Sequence, residues 1–126
     1  MPHDLHHEHL IKELTEQLKP IFTNSPQGIY LYLDDTHKSC NKKFADMLGY
    51  KSIEEWEKNE YPVGDVIEED QEKVIQAYMN ASEKFIGSKA SATCVRKDGE
   101  KIHTEFILVP ISYREEIFVL HFVTQK

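Results

Sequence analysis

Two short stretches of this chain are apolar on both faces when they are interpreted as β-strands. The stretch IYLYL covers Ile29–Leu33, and IFVLHFVT covers Ile117–Thr124. Successive side chains of a strand point to opposite faces of the sheet. Both faces of these strands therefore have to be covered, and we expect the chain to supply a layer on each side of one sheet.

An amphipathic helix near the amino terminus is one candidate for such a layer. Residues 4–22 are predicted to be helical, and Pro20 is expected to end or kink the regular helix near Lys19. Spacings of three and four place its apolar side chains on one stripe, made of Leu10, Ile11, Leu14, Leu18, Ile21 and Phe22. This stripe can cover a sheet of its own chain or meet a second copy, and both interpretations stay open.

Strands and helices occur in separate blocks along the rest of the chain. After Ile29–Leu33 the pattern predicts a strand, two short helices, a long helix and three more strands. Their expected ranges are His37–Cys40, Phe44–Leu48, Ile53–Lys58, Glu69–Phe85, Lys89–Val95, Lys101–Ile111 and Ile117–Thr124. Strands on either side of a helical block indicate an α+β fold with an antiparallel sheet.

Local signals predict where the short helices begin. Asn41 and Ser52 are expected to cap them through their side-chain oxygens, and Glu55 is placed to complete a capping box with Ser52. A further single turn of helix is expected around Val66 and Ile67.

The second half of the chain has its own end signals. Gly87 is expected to end the long helix, and Lys97-Asp98-Gly99 predicts a hairpin between two strands. Pro110 places the last residues of Lys101–Ile111 at an edge or a bulge. The buried stripe of the long helix is predicted to contain Val74, Tyr78, Ala81 and Phe85.

Composition narrows the class of protein. A chain of 126 residues with 40% hydrophobic residues suits one domain with a single core. Its net charge of −7 argues against a nucleic-acid partner, because phosphate binding requires a basic surface. There is no apolar run of membrane-spanning length and no secretory signal pattern. We expect a cytoplasmic protein without membrane contact, in which Cys40 and Cys94 are reduced.

Five segments, taken in order, resemble a PAS domain. They are NSPQGIYLYLDD, NKKFADMLGYKSIEEW, VIEEDQEKV, VRKDGEKIHTEF and a last strand that ends in LHFVT. The resemblance covers roughly Ile21 to Thr124, so that residues 1–20 form an amino-terminal helix and residues 21–126 the PAS domain. It implies a sheet of five strands in the order 2-1-5-4-3, with helices and a small cavity on one face and the amino-terminal helix on the other. The second and third strands then lie at opposite edges, and a Cys40–Cys94 disulfide is not expected.

The resemblance also implies a function. PAS domains are mostly sensory or interaction modules, so we expect a signalling domain that binds a small ligand or cofactor in its core and acts through dimerisation or partner contact. One alternative is a ligand-free dimerisation module. A remote alternative is a small isomerase-like enzyme that uses His103 and Glu105, which share one face of a strand. Because the sequence lacks a catalytic motif, we do not expect an enzyme.

Cofactor-binding PAS subfamilies carry diagnostic residues that this sequence lacks. Tyr61–Gln71 has no cysteine of the kind that flavin photoreceptors use, and Glu69–Ile86 has no histidine of the kind that often ligates haem iron. Haem and covalent flavin are therefore disfavoured, and a non-covalent small molecule stays open. The candidate pocket residues, which also suit ordinary core packing, are Phe44, Met47, Trp56, Ile67, Val74, Tyr78, Ile107, Val119 and His121.

No output helix follows the last strand in this sequence, so we expect either a free-standing PAS protein or an excised module. A free-standing protein would need to associate with a second chain. Signalling would then pass through a homodimer or a separate signalling protein. The interface candidates come from the amino-terminal stripe and are Ile11, Leu14, Leu18 and Ile21.

Three charged patterns have structural and functional interpretations. Asp70 matches an acidic position of the PAS family, and we expect a structural ion pair with Arg96 or Lys97. His3 and His7 have the i, i+4 spacing of a metal chelate, but a polar helix start is the preferred interpretation and no metal site is predicted. The nine carboxylates from Glu54 to Glu72 are interpreted as a solvated face, with a docking surface for a basic partner as the alternative.

Overall fold

The five strands pair into one antiparallel sheet in the order β2-β1-β5-β4-β3. The computed structural model describes residues 3–126, with side chains from His6 onward. The strands are β1 Gly28–Asp34, β2 His37–Cys40, β3 Ser88–Val95, β4 Lys101–Tyr113 and β5 Glu116–Gln125. The α+β class and the predicted sheet order are confirmed.

The helices lie on both sides of this sheet. They are α1 His3–Gln17, α2 Lys19–Asn24, α3 Lys42–Met47, α4 Ile53–Glu57 and α5 Glu68–Lys84, with a 3-10 turn at Pro62–Asp65. Pro20 lies in the first turn of α2. Since proline has no N–H, the hydrogen-bond ladder of α1 cannot run through it. The predicted break is found at Leu18, next to Lys19. No helix in the described part of the chain is long and apolar enough to cross a membrane.

Alternation along β1 decides which side chains face which layer. Tyr30 and Tyr32 belong to the core under α3, α4 and α5, whereas Ile29 and Leu31 belong to a second core under α1. The period of two in a strand is the reason for this division. It settles which face of IYLYL points toward the helical layer, because the two tyrosines do.

Helix α1 covers the outer face of its own sheet. Leu10, Ile11 and Leu14 are only 1%, 6% and 5% exposed, and they pack with residues of β1 and β5, among them Leu31 and Phe118. The expectation that this stripe forms a dimer interface is therefore wrong for Ile11 and Leu14, since they are already buried within one chain.

The rest of the proposed dimer stripe is less buried. Leu18 packs at the margin of the outer core, and Ile21 on α2 is 41% exposed. Only this end of the stripe is accessible to a second chain.

Asn41 joins three elements through one buried amide group. Its Oδ1 accepts hydrogen bonds from the backbone N–H of Phe44, as predicted for a helix cap, and of Ile29, both at 2.9 Å. Its Nδ2 donates to the carbonyl oxygens of Phe22 at 3.2 Å and Gln27 at 3.1 Å. Asn41 therefore links α2, β1 and α3 in addition to capping a helix.

Ser52 caps α4 as predicted. Its Oγ accepts from the backbone N–H of Glu55 at 3.1 Å. The Glu55 carboxylate accepts from the N–H of Lys51 at 2.9 Å, one residue before the position of an ideal capping box.

The end of α5 differs from the prediction. Phe85, with φ of 56°, occupies the left-handed cap position, and its side chain is 54% exposed, so it does not belong to the buried stripe. Gly87 does not end the helix. A Cβ at Gly87 would lie 3.1 Å from the carbonyl oxygen of Leu108, so this glycine permits a close approach to β4.

The hairpins agree with the sequence signals. Gly99 has φ of +89° in the turn between β3 and β4. Strand β3 pairs with β4 only as far as Leu108, so Pro110 lies where β4 has β5 as its single neighbour. The predicted edge position of Pro110 is confirmed. Cys40 and Cys94 lie on the opposite edge strands, buried and free.

The segment before α5 is bound to the edge of β3. In place of the expected turn around Val66 and Ile67, Val66 forms a β-bridge with Cys94, and the N–H of Ile67 donates to Thr93 O at 2.9 Å. This edge pairing follows from the extended backbone of Val66 after the 3-10 turn.

Asp70 continues the same attachment and has other partners than expected. Its carboxylate accepts from the Thr93 N–H at 2.8 Å and lies 3.6 Å from Lys73 Nζ. Arg96 donates instead to the Met47 carbonyl at 2.7 Å, and Lys97 Nζ lies over the Tyr50 ring. The predicted ion pair is therefore wrong, although Asp70 does tie the helix to the β3–β4 hairpin.

Candidate ligand-binding cavity

A cavity of about 380 Å³ lies between the inner face of the sheet and the helical layer. Its floor comes from β1, β3, β4 and β5, and its walls from α3, α4, α5 and the 3-10 turn. The lining residues are Tyr30, Tyr32, Asp35, Phe44, Leu48, Trp56, Tyr61, Pro62, Val63, Asp65, Val66, Val74, Ile75, Tyr78, Met79, Cys94, Phe106 and His121. This volume lies in the range of sites for small organic molecules, roughly 300–1,000 Å³.

Tyr30 and His121 form the centre of the floor. They are register partners on β1 and β5, and their rings stack with centroids 3.8 Å apart at 12°. Phe44 and Trp56 lie against the Tyr30 ring, with centroids at 4.8 Å and 5.3 Å. The aromatic residues therefore form one continuous surface, on which a flat ring can pack with favourable geometry.

His121 is a neutral group that presents a hydrogen-bond acceptor. Its Nδ1 lies 3.1 Å from the carbonyl oxygen of Val119, and since a carbonyl only accepts, Nδ1 carries the proton. Burial lowers the pKa of His121 to about 3. At neutral pH the imidazole is uncharged, and Nε2, the ring nitrogen without the proton, is an acceptor.

Tyr30 presents the complementary donor. Its side chain is 8% exposed, and its hydroxyl bonds to no other group in the part of the chain that the structure describes. Burial raises the pKa of the Tyr30 hydroxyl well above its usual range, so it keeps its proton. The stacked pair thus offers one donor and one acceptor to a molecule in the cavity.

The rim of the cavity is acidic. The Asp65 carboxylate accepts from the Tyr50 hydroxyl at 2.5 Å, and burial raises the pKa of Asp65. Asp35 accepts from the hydroxyl of Tyr32. The lining residues include no lysine and no arginine, so the cavity has no fixed positive charge to hold a phosphate or carboxylate group.

Cys94 of β3 lies in the cavity floor and was not among the predicted pocket residues. It is 2% exposed, and its Sγ lies 3.5 Å from Thr104 Oγ1. Burial raises the pKa of the Cys94 thiol to about 11, so it is protonated at neutral pH. The sequence signal that could have found it is its position in the predicted strand Lys89–Val95, because every second side chain of a strand points to the same face.

The structure places the nine predicted pocket residues in three groups. Five line the cavity, namely Phe44, Trp56, Val74, Tyr78 and His121. Met47 and Val119 lie in the same hydrophobic core without reaching the cavity. The remaining two lie elsewhere: Ile67 precedes α5 as its cap residue, and Ile107 is 38% exposed.

Ile107 was misplaced because of strand alternation. It pairs with Phe122, whose side chain belongs to the outer core, so Ile107 also points outward. Sequence reasoning identified β4 correctly but not the face on which its odd-numbered residues lie.

Other residues considered from the sequence lie outside the cavity. His103 is exposed on β4, and its Nδ1 lies 3.1 Å from Thr93 Oγ1. Glu105 forms ion pairs with Lys89 and Lys126. The pair proposed for an isomerase-like enzyme therefore has no shared pocket among the described residues.

The acidic run from Glu54 to Glu72 divides into two kinds of position. Glu54, Glu60, Glu68, Glu69 and Glu72 are exposed. Asp65 and Glu57 are partly buried, and burial raises the pKa of each carboxyl group. The interpretation of this run as a solvated face therefore holds for its exposed glutamates and not for Asp65 and Glu57.

A second depression, of about 580 Å³, lies between α1–α2 and the start of α3. Its lining is largely polar and includes Glu16, Lys19, Lys42 and Lys43. The aromatic cavity encloses a ligand better, because ligand sites are concave and mostly apolar with few polar groups.

Comparison with solved structures shows the same fold in several proteins. The LOV protein of Rhodobacter sphaeroides superposes with a TM-score of 0.71 at 14% identity, covering 90% of this chain and 67% of that one. The PAS domain of an HTR-like protein from Haloarcula marismortui gives 0.64 at 23% identity, covering 91% and 99%. The PAS domain of the fruit-fly ELK potassium channel gives 0.66 at 16%, covering 87% and 94%.

Sequence comparison gives the family. No curated protein matches the chain, but the family model of the PAS domain matches residues 26–125. The match covers every strand and the helices α3 to α5 that enclose the cavity. The chain therefore belongs to the PAS domain family, whose members are typically sensory modules of signalling proteins.

Proposed function

We propose that this PAS domain senses a small, flat aromatic molecule that binds without a covalent bond in the cavity. The observation that carries the proposal is the stacked pair of Tyr30 and His121, which offers a donor and an acceptor on an aromatic floor. A donor and an acceptor on an aromatic surface suit a flat ring that carries a hydrogen-bonding group of its own.

Charge narrows the class of ligand. Asp35 and Asp65 lie at the rim, and no basic side chain lines the cavity. An anionic ligand would meet these carboxylates without a cation to offset them, so a neutral molecule is favoured. For the same reason the site suits neither haem propionates nor a flavin phosphate held inside the cavity.

A second candidate function is homodimerisation, favoured by a patch on the outer face of the sheet. Ile107 and Val109 are 38% and 37% exposed on β4, beside the partly buried Phe122 of β5. We propose that a second copy covers this patch, together with the exposed Ile21. The output of the sensor would then depend on the arrangement of two chains.

Native mass spectrometry of the protein purified from its own cells tests the ligand proposal. A discrete extra mass that is lost on unfolding is the expected result. In parallel, indole and indole-3-carboxylate serve as a matched neutral and anionic pair. Indole should raise the melting temperature and shift the NMR signals of Tyr30 and His121, whereas the anion should do neither.

Two variants locate the binding site. Val74→Phe fills the cavity and should abolish the indole effect, whereas Ile86→Phe adds bulk at a position that is 51% exposed and should leave it unchanged. A protein without extra mass that is indifferent to indole would contradict the proposal. Equal effects of indole and its carboxylate would contradict the argument from charge.

A further inference from the structure

Three side chains that can ligate a metal converge under the amino-terminal helix, away from the ligand cavity. They are His7 of α1, Asp34 at the end of β1 and His37 at the start of β2. Each contributes one ligand atom, and these atoms all lie within 4.8 Å of one another. The two imidazole rings are 5.5 Å apart, edge to face.

The β1–β2 hairpin positions two of these groups. Asp34 and His37 are register partners across a turn of two residues, and Asp34 Oδ1 lies 2.7 Å from His37 Nδ1. The backbone N–H and the hydroxyl of Thr36 both donate to Asp34 Oδ1 at 3.0 Å. The orientation of the carboxylate is therefore set by the turn itself.

Helix α1 brings the third group onto this pair. His7 is 8% exposed, held in place because Leu10, Ile11 and Leu14 anchor the same helix on the sheet. Its Nδ1 lies 3.3 Å from Asp34 Oδ2.

The other nitrogen of His7 has its own carboxylate. Its Nε2 lies 2.9 Å from Glu116 Oε1 of β5. A metal-ligating histidine commonly donates its second N–H to a carboxylate, which sets the tautomer and the ring orientation. The contact with Glu116 is this arrangement, and it is independent of the convergence of the three ligands.

We propose that His7 Nδ1, Asp34 and His37 Nδ1 bind one divalent cation of the late first-row transition metals, with Zn²⁺ as the reference ion. Two imidazoles and one carboxylate are a ligand set that zinc accepts, with water in a fourth position. In tetrahedral geometry with bonds of about 2.0–2.1 Å, ligand atoms lie roughly 3.3 Å apart. The distances from Asp34 to the two Nδ1 atoms, 2.7 Å for His37 and 3.3 Å for His7, lie near this value.

This site differs from the chelate that sequence spacing suggests. The side chain of His3 lies outside the described residues, so nothing is stated about a His3–His7 pair. The proposed ligands come from a helix and a hairpin that are distant in sequence. A bound ion would fasten α1 to the hairpin whose loop residue Asp35 lines the ligand cavity on the other side.

Isothermal titration of the chelator-treated 126-residue chain with ZnCl₂ is the test, with CoCl₂ absorption as a report of tetrahedral nitrogen and oxygen ligation. The expected result is binding of one ion per chain and a melting temperature that rises with free Zn²⁺. His37→Ala and Asp34→Asn should each weaken binding at least about 100-fold. Glu116→Gln, which changes only the orienting partner, should weaken it about 10–100-fold.

The control is a variant in which His3, His6 and His9 are all alanine, which tests whether the neighbouring histidines contribute to binding. It should retain the wild-type affinity. Circular dichroism establishes that each variant is folded before titration. Loss of binding in the triple variant, or wild-type affinity in a folded His37→Ala protein, would overturn the proposal, as would a wild-type protein that binds no zinc.

Discussion

The rings of Tyr30 and His121 stack face to face, with centroids 3.8 Å apart and an angle of 12° between their planes. The stack joins neighbouring strands at the floor of the cavity. It places an uncharged imidazole, 2% exposed, where a protonated one would lack a counter-ion. We therefore expect the free energy of unfolding to depend on pH through His121.

Acid should destabilise the protein through His121. Its pKa falls from an ordinary value of 6.5 to about 3 on folding, so below about pH 6.5 the unfolded chain binds a proton that the folded chain does not. Stability from this group is complete above pH 6.5 and is lost as the pH falls toward 3. The loss should reach roughly 1 kcal/mol between about pH 7.5 and 5.5.

The variant His121→Phe isolates this contribution, because it keeps a ring on Tyr30 and removes the titrating group. Urea unfolding of both proteins at the two pH values measures it. The free energy of unfolding should fall more steeply in the wild type. Identical pH dependence in the two proteins would show that His121 is not the buried neutral group described above.

Asn41 should be among the most sensitive polar positions. Asn41→Ala removes hydrogen bonds that satisfy two backbone N–H groups and two carbonyl oxygens, and we expect a loss of roughly 2–4 kcal/mol in the free energy of unfolding. Ser52→Ala, which removes only a helix cap, should cost about 1 kcal/mol. Chemical denaturation compares them, and equal costs would refute the linking role of Asn41.

The outer-face patch should control association. The double variant Ile107→Asp with Val109→Asp is expected to be monomeric by light scattering. It should remain folded by circular dichroism, because both side chains are exposed within one chain. Ile86→Asp, at another exposed apolar position, should leave the mass unchanged. A double variant that stays dimeric would place the interface elsewhere, and a monomeric wild type would remove the proposal.

Leu14→Asp should act differently from these surface changes. Leu14 is 5% exposed under α1, so a carboxylate there would be buried against Leu31 and Phe118 without a partner. We expect a loss of several kcal/mol in the free energy of unfolding. A stable monomeric variant would instead support the stripe as a dimer interface.

Much of the fold could be predicted from sequence because its signals are local. The cap at Asn41, the turn at Gly99 and the edge position of Pro110 each depend on a few neighbouring residues. The predictions were wrong where contact with an element distant in sequence determines the local structure. Phe85 suited the apolar period of α5, but the backbone leaves the helix there, and Asp70 bonds to a β3 amide that the ion-pair expectation did not consider.

The sequence by itself determined the order of elements and the need for a layer on each face of the sheet, since periodicity and turn chemistry are properties of contiguous residues. Its resemblance to a PAS domain came from five ordered segments. Tertiary structure decided which face of β1 carries the cavity, that α1 buries Ile11 and Leu14 in its own chain, and that His7 meets Asp34 and His37. These outcomes depend on register and packing between distant segments. The alternation of side chains along a strand predicts two apolar faces but not which layer each face contacts. That is decided by packing against another part of the chain.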